Sequence, residues 1–100
     1  QDMRNENILA QNITYNLAVQ RNLVGPRVRE ARKQAKPPLT QNDLVARLQV
    51  MGLKVDQSSI SKIEQGIRPV LDIEVIALAK ALGVSAAWLL GEATTKELPR

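Results

Sequence analysis

Cysteine, histidine and phenylalanine are absent from this 100-residue chain, and Tyr15 and Trp88 are its only aromatic residues. Without cysteine or histidine there is no disulfide, no thiol nucleophile and no imidazole acid–base pair, and the common zinc sites lose their ligands. A core so poor in aromatics must be aliphatic. The 44% apolar content suffices for one modest domain. No apolar run approaches the ~18 residues of a membrane span. The first residues lack the basic-then-apolar pattern of a secretion signal, so a cytoplasmic protein without membrane association is expected. No glycine-rich phosphate loop occurs. Asp43, Asp56, Glu64 and Asp72 are each spaced to cap a helix or pair with a cation, which leaves no acid–base dyad. The expectation is therefore a protein that is not an enzyme and that holds neither cofactor nor metal.

What the chain does have is a localised positive charge. The net charge is +4, but residues 21–68 carry ten Lys and Arg against Glu30, Asp43, Asp56 and Glu64. The segments before and after are each slightly negative. A positive field confined to the middle of a chain points to a polyanionic partner.

Punctuation divides the sequence into short helices. Gly25-Pro26 opens the first, which is expected to run to about Lys36 before Pro37-Pro38. Thr40 caps the second, with Asp43 placed to return the hydrogen bond; Leu44, Val45, Leu48 and Met51 form its inward stripe, and Gly52 ends it. Asp56 and Gly66 bracket a third helix over Gln57–Gln65. The fourth, Asp72–Leu82, is apolar on nearly every side and is expected at the centre of the fold. Ser85 then caps a last short helix through Trp88. Residues 1–23 read as an extension (an arm, an extra helix or a dimer element), in which Ile8, Leu9, Ile13 and Leu17 allow an amphipathic helix. Residues 24–91 read as the domain, and 92–100 as a polar tail expected to fray.

Two helical wheels bear on function. On the third helix, Ile60, Ile63 and Glu64 share one face, and Ser58, Ser61, Lys62 and Gln65 occupy the other. Hydroxyl and amide groups on an exposed face suit hydrogen bonding to base edges and phosphates. On the first helix, Arg32 sits with Val28, Ala31 and Ala35 on the inward stripe. An unpaired buried charge costs several kcal/mol, so Arg32 and Glu64 are expected to pair across the two helices. Arg29, Lys33 and Lys36 form an outward arc, either a solvated surface or a set of phosphate contacts.

In this order and spacing, Leu39-Thr40-Gln41, Ile60 to Gly66, Arg68-Pro69, Ala79 to Ser85 and Trp88 to Gly91 resemble the helix-turn-helix domain of Cro and phage-repressor regulators, the xenobiotic-response-element (XRE) family. The likeness spans residues 24–91. It implies an all-α, compact five-helix repressor-like domain that binds duplex operator DNA, with the third helix in the major groove and the second crossing the backbone. Gln41, Gln57, Ser58, Ser59, Ser61 and Lys62 are the candidate base readers that this likeness supports. Arg29, Lys33, Lys36, Thr40 and Arg68 are the candidate phosphate contacts, and Arg32–Glu64 matches a family ion pair. A homodimer is expected, with Trp88, Leu89 and Leu90 as one candidate seam and the domain's own core as the alternative place for Trp88. The rival reading is an antitoxin or adaptor that holds a partner protein. Between Thr40 and Asp56 the chain runs longer than the common family pattern, so an extension of the second helix or of its turn is expected there.

Overall fold

A computed structural model of the chain describes residues 20–97, and within them the protein is all-helical, with five helices and no strand. They are α1 (Gly25–Gln34), α2 (Gln41–Val50), α3 (Gln57–Glu64), α4 (Asp72–Leu82) and α5 (Ala86–Leu89). The amphipathic helix expected around Ile8–Leu17 lies outside the described residues.

The helices begin where a side chain can satisfy their first amides. Thr40 Oγ1 accepts from the Asp43 amide at 3.0 Å, and Asp43 Oδ2 accepts from the Thr40 amide at 2.8 Å. Asp56 Oδ1 caps α3 through the Ser59 amide at 2.8 Å, and Ser85 Oγ caps α5 through the Trp88 amide at 3.0 Å. α1 has no cap at its own Val24; Asn22 serves from outside, its Oδ1 accepting from the Gly25 amide at 2.8 Å. α1 stops at Gln34, short of Lys36, with Ala35 already extended. Pro37 drives Lys36, the residue before it, out of the helical region, and α1 ends within two residues of that point.

One aliphatic core joins the five helices. Val24, Val28, Leu44, Leu48, Ile60, Ile63, Leu78 and Leu89 are essentially fully buried. α3 packs on α1 and α2, and α4 packs on α1, α2 and α5. Burying Ile60 and Ile63 contributes about 1.5–3 kcal/mol apiece, and this anchors an eight-residue helix that would not persist alone.

The α2–α3 connection is longer than a tight turn, and it is tied down. Leu53 donates its amide to Leu48 and Gly52 donates to Gln49, closing α2 over a glycine at φ +95°. Gln49 Nε2 then reaches across to the Val55 carbonyl at 3.0 Å, and Val55 is buried. Met51, expected on the inward stripe, is 43% exposed in this turn. Leu53 and Val55 fill the space instead.

Two further expectations change, for α4 and for the tail, and Trp88 takes the second of its two expected places, the domain's own core. α4 is not buried all round: Ile73 is 64% and Ile76 49% exposed, and Leu71 before it is 60% exposed. Its core side is built by Val75, Ala77, Leu78, Ala79 and Ala81. Trp88 and Leu89 are buried in their own domain, which removes them as a seam between copies. The residues after Glu92 do not fray as far as Glu97. Ser85 donates to the Lys96 carbonyl at 2.8 Å, and Arg27 Nη1 donates to the carbonyls of Trp88 and Ala93. The Arg27 guanidinium and the Lys96 ammonium lie 4.8 Å and 5.5 Å from the Trp88 ring centroid, a cation–π clamp on the returning segment.

Three carboxylates make the fold acid-sensitive. The Thr40 and Ser59 amides hold Asp43 and Asp56 below the ordinary aspartate pKa, and the Arg68 guanidinium with the Leu71 amide does the same for Glu74. Their folded pKa values lie below unfolded values of about 4, so in acid the unfolded chain binds more protons. The stabilisation is therefore complete above about pH 4 and is lost as pH falls through the folded values. Urea unfolding should give a flat stability from about pH 5 to 7, where no histidine titrates, and a decline towards pH 3. A rise towards pH 3 would contradict this reading.

Candidate nucleic-acid interface

α3 presents its polar side outward because its apolar side is committed. With Ile60, Ile63 and Glu64 buried, Gln57, Ser58 and Lys62 stand exposed and Ser61 is half-buried. Ser58 and Lys62, four residues apart, share the outer face. Ser59 is spent on the cap, its hydroxyl donating to Asp56 Oδ1 at 2.8 Å. Gln65 Nε2 donates to Ser61 Oγ at 2.8 Å, which leaves that hydroxyl a proton to give outward.

The N-terminus of α2 meets the N-terminus of α3. Gln57 Nε2 donates to Gln41 Oε1 at 2.6 Å, and Gln41 Nε2 donates to Glu64 Oε1 at 3.1 Å. Behind them lies the ion pair: Arg32 Nε to Glu64 Oε2 at 2.7 Å and Arg32 Nη2 to Glu64 Oε1 at 3.0 Å. Arg32 Nη1 also donates to the Leu39 carbonyl at 2.8 Å, which ties the α1–α2 connector to the same pair. Both charged groups are over 90% buried, and the bond to Glu64 raises the Arg32 pKa further above its ordinary value. The pair fixes α3 against α1.

Two adjoining clefts open on this surface. A wide one of about 560 Å³ is lined by Lys33, Thr40, Gln41, Asn42 and Gln57 among others. The second, about 270 Å³, is lined by Arg29, Arg32, Gln41, Ser61, Glu64 and Gln65. Arg29 and Lys33 thus flank the polar face of α3 with their charged ends exposed. Lys36 is exposed beyond the end of α1 and lines neither cleft. Arg68 is engaged elsewhere, in a bidentate pair with Glu74 at 3.2 and 3.1 Å.

Asn42 and Gln65 lie outside the candidate base readers and phosphate contacts, yet both line these clefts. Asn42 follows Gln41 at the start of α2, and Gln65 stands on the outer face of the α3 wheel. Among the described residues no cluster of Asp and Glu could hold a metal ion, and no helix is long and apolar enough to cross a membrane.

A polar-faced helix is thus held across the end of a second helix, with exposed cations beside it; that is the arrangement of a helix-turn-helix unit. A family model described as Helix-turn-helix matches residues 28–89. The chain belongs to the Cro and phage-repressor (XRE) helix-turn-helix family, a family of DNA-binding proteins. Comparison with curated proteins and with solved structures returned no match.

Proposed function

We propose that the protein is a small transcriptional regulator that reads a specific duplex operator with α3 in the major groove, acting as a homodimer. The observation that carries this reading is the meeting of Gln41, Gln57, Ser61 and Gln65 along two clefts flanked by Arg29 and Lys33. Gln57 offers an amide to an adenine edge, which presents one donor and one acceptor side by side. Ser58 and Ser61 offer hydroxyls, and Lys62 is placed for a phosphate or a guanine. Arg29, Lys33 and Lys36 supply attraction that is independent of sequence and weakened by salt, and Thr40 adds a neutral hydroxyl within reach of a phosphate. Arg68, already paired with Glu74, contributes less as a phosphate contact than as a brace for the segment leaving α3.

A homodimer would place two reading helices about one turn of DNA apart, as a two-fold operator requires. With Trp88 and Leu89 buried, four of the exposed apolar side chains, Ile67, Leu71, Ile73 and Ile76 on and just before α4, form the surface that a second copy would cover. A co-purifying partner protein on the same side chains is the rival outcome.

The test combines Ser58→Ala with Lys62→Ala, two exposed changes that leave the core intact. Fluorescence anisotropy on the selected operator should show a loss of specific affinity of about 5- to 150-fold, from ~1–3 kcal/mol of lost contacts. The salt slope should shrink by about one, and non-specific binding should persist. Unchanged operator affinity in the folded double variant would move the contact surface off α3.

A further inference from the structure

We infer that Arg21 is a further contact to the DNA backbone, held by Asn22 at the C-terminal end of α3, where it continues the line of cations that Lys33 and Arg29 begin. The inference rests on the proposed reading by α3 and adds a residue to it.

α1 runs alongside α3 in the opposite direction. Lys33, near the end of α1, shares a cleft with Gln57 at the start of α3. Arg29, one turn earlier, shares the adjoining cleft with Ser61 and Gln65. Gly25, where α1 opens, stands against the carbonyls of Ile63 and Glu64. The segment before α1 carries on in the same sense: the Arg21 amide donates to the Gly66 carbonyl at 2.8 Å, just beyond the last turn of α3. Lys33, Arg29 and Arg21 thus stand beside residues 57, 61 and 66. At a helix rise of about 1.5 Å per residue, these stations are about 6 to 8 Å apart. All three residues are exposed. Exposed cations at such intervals along one flank of a reading helix are placed to follow one phosphate strand of the groove that the helix enters.

The cation that the sequence puts at this end of α3 is Arg68, but both its Nη nitrogens are bound to Glu74. Its carbonyl serves a different purpose. Asn22 Nδ2 donates to the carbonyls of Ile63 at 3.1 Å and Arg68 at 2.8 Å, while Asn22 Oδ1 accepts from the Gly25 amide at 2.8 Å. One side chain thereby joins the end of α3, the segment leaving it and the first turn of α1. With its own amide on Gly66 and its neighbour in that clasp, the backbone of Arg21 is already fixed. The guanidinium gives up only side-chain freedom on meeting a phosphate, and it can do so through two parallel N–H bonds. Asn22 is a positioning residue and need not touch DNA.

The experiment measures the affinity of the full chain for the selected operator and for an unrelated duplex of the same length, from about 50 to 200 mM salt. Arg21→Ala removes an exposed side chain and keeps the backbone amide, so the melting temperature should not move. The expected result is a loss of about three- to tenfold on both duplexes, with the salt slope smaller by about one. Arg21→Lys keeps the charge and should keep the slope. Asn22→Ala tests the clasp: in that background Arg21→Ala should cost much less than in the unaltered protein, because the guanidinium is no longer held in place. If Asn22→Ala does not fold, the Arg21 variants decide the matter alone.

A folded Arg21→Ala variant with unchanged affinity and salt slope would overturn the inference, as would a loss confined to the operator. An equal cost of Arg21→Ala with and without Asn22 would overturn the positioning role. Failure of the parent reading looks different: the unaltered protein would then hold the operator and the unrelated duplex alike.

Discussion

Glu64→Ala should lower the unfolding free energy by about 3–5 kcal/mol, a large fraction of the 5–15 kcal/mol expected for such a domain. The cause is less the lost attraction than the charge left behind. Arg32 is 8% exposed, and its guanidinium spends two of its bonds on Glu64. Without the carboxylate it must either stay buried and unpaired or drag the end of α1 towards water, breaking its bond to the Leu39 carbonyl. For a domain of this size each kcal/mol moves the melting temperature by roughly 4–8 °C, so a fall well above 10 °C is expected. Arg32→Ala should be nearly as harmful, whereas the double variant Arg32→Leu with Glu64→Leu, which replaces the buried pair by apolar side chains, should melt close to the unaltered protein. That contrast separates a costly orphan charge from a strongly stabilising pair. A single Glu64→Ala variant that melts unchanged would mean that Arg32 reaches solvent at no cost.

Gly25→Ala should be the other severe change. Gly25 opens α1 against the last turn of α3, and a Cβ there would lie 2.1 Å from the Ile63 carbonyl oxygen. It would also stand 3.1 Å from the Glu64 carbonyl oxygen and from Asn22 Oδ1. Helix propensity by itself favours alanine by about 1 kcal/mol. The contact is far inside van der Waals distance, and two of the three neighbours are backbone that moves only if α3 moves. Overpacking of this kind costs about 1–3 kcal/mol and occasionally more, so the net effect is destabilising. Because the displaced element is α3, the helix proposed to read the operator, operator affinity should fall with stability. Urea unfolding and anisotropy measured together check both; a variant as stable and as tight-binding as the parent would contradict the packing described.

The helices and their caps were legible because their causes are local. Thr40 with Asp43, Asp56 with Ser59, and Ser85 lie within three residues of the amides they satisfy. Pairing Arg32 with Glu64 required only two wheels and the cost of a buried charge. What the sequence hid was decided across distance. Nothing near Asn22 announces that its side chain closes on the carbonyls of Ile63 and Arg68 and on the amide of Gly25. The return of Lys96 to Trp88 depends on a ring whose exposure is set by α1, α4 and α5 together. α4 shows the limit of periodicity most clearly. A helix apolar on every side has no pattern from which to tell the buried Val75 and Leu78 from the exposed Ile73 and Ile76. In the interface, Gln41 and Gln57 could each be nominated singly. Their mutual bond, across sixteen positions of sequence, belongs to the tertiary structure alone.

The most direct test of the central claim is selection of the purified protein against a randomised duplex library at about 150 mM salt, where weak electrostatic binding is suppressed. The account predicts enrichment of one two-fold-symmetric site, with half-sites about one helical turn apart and adenine at a fixed position in each. Recovery of no preferred sequence would contradict it, and would point to a domain whose main role is to hold a protein partner.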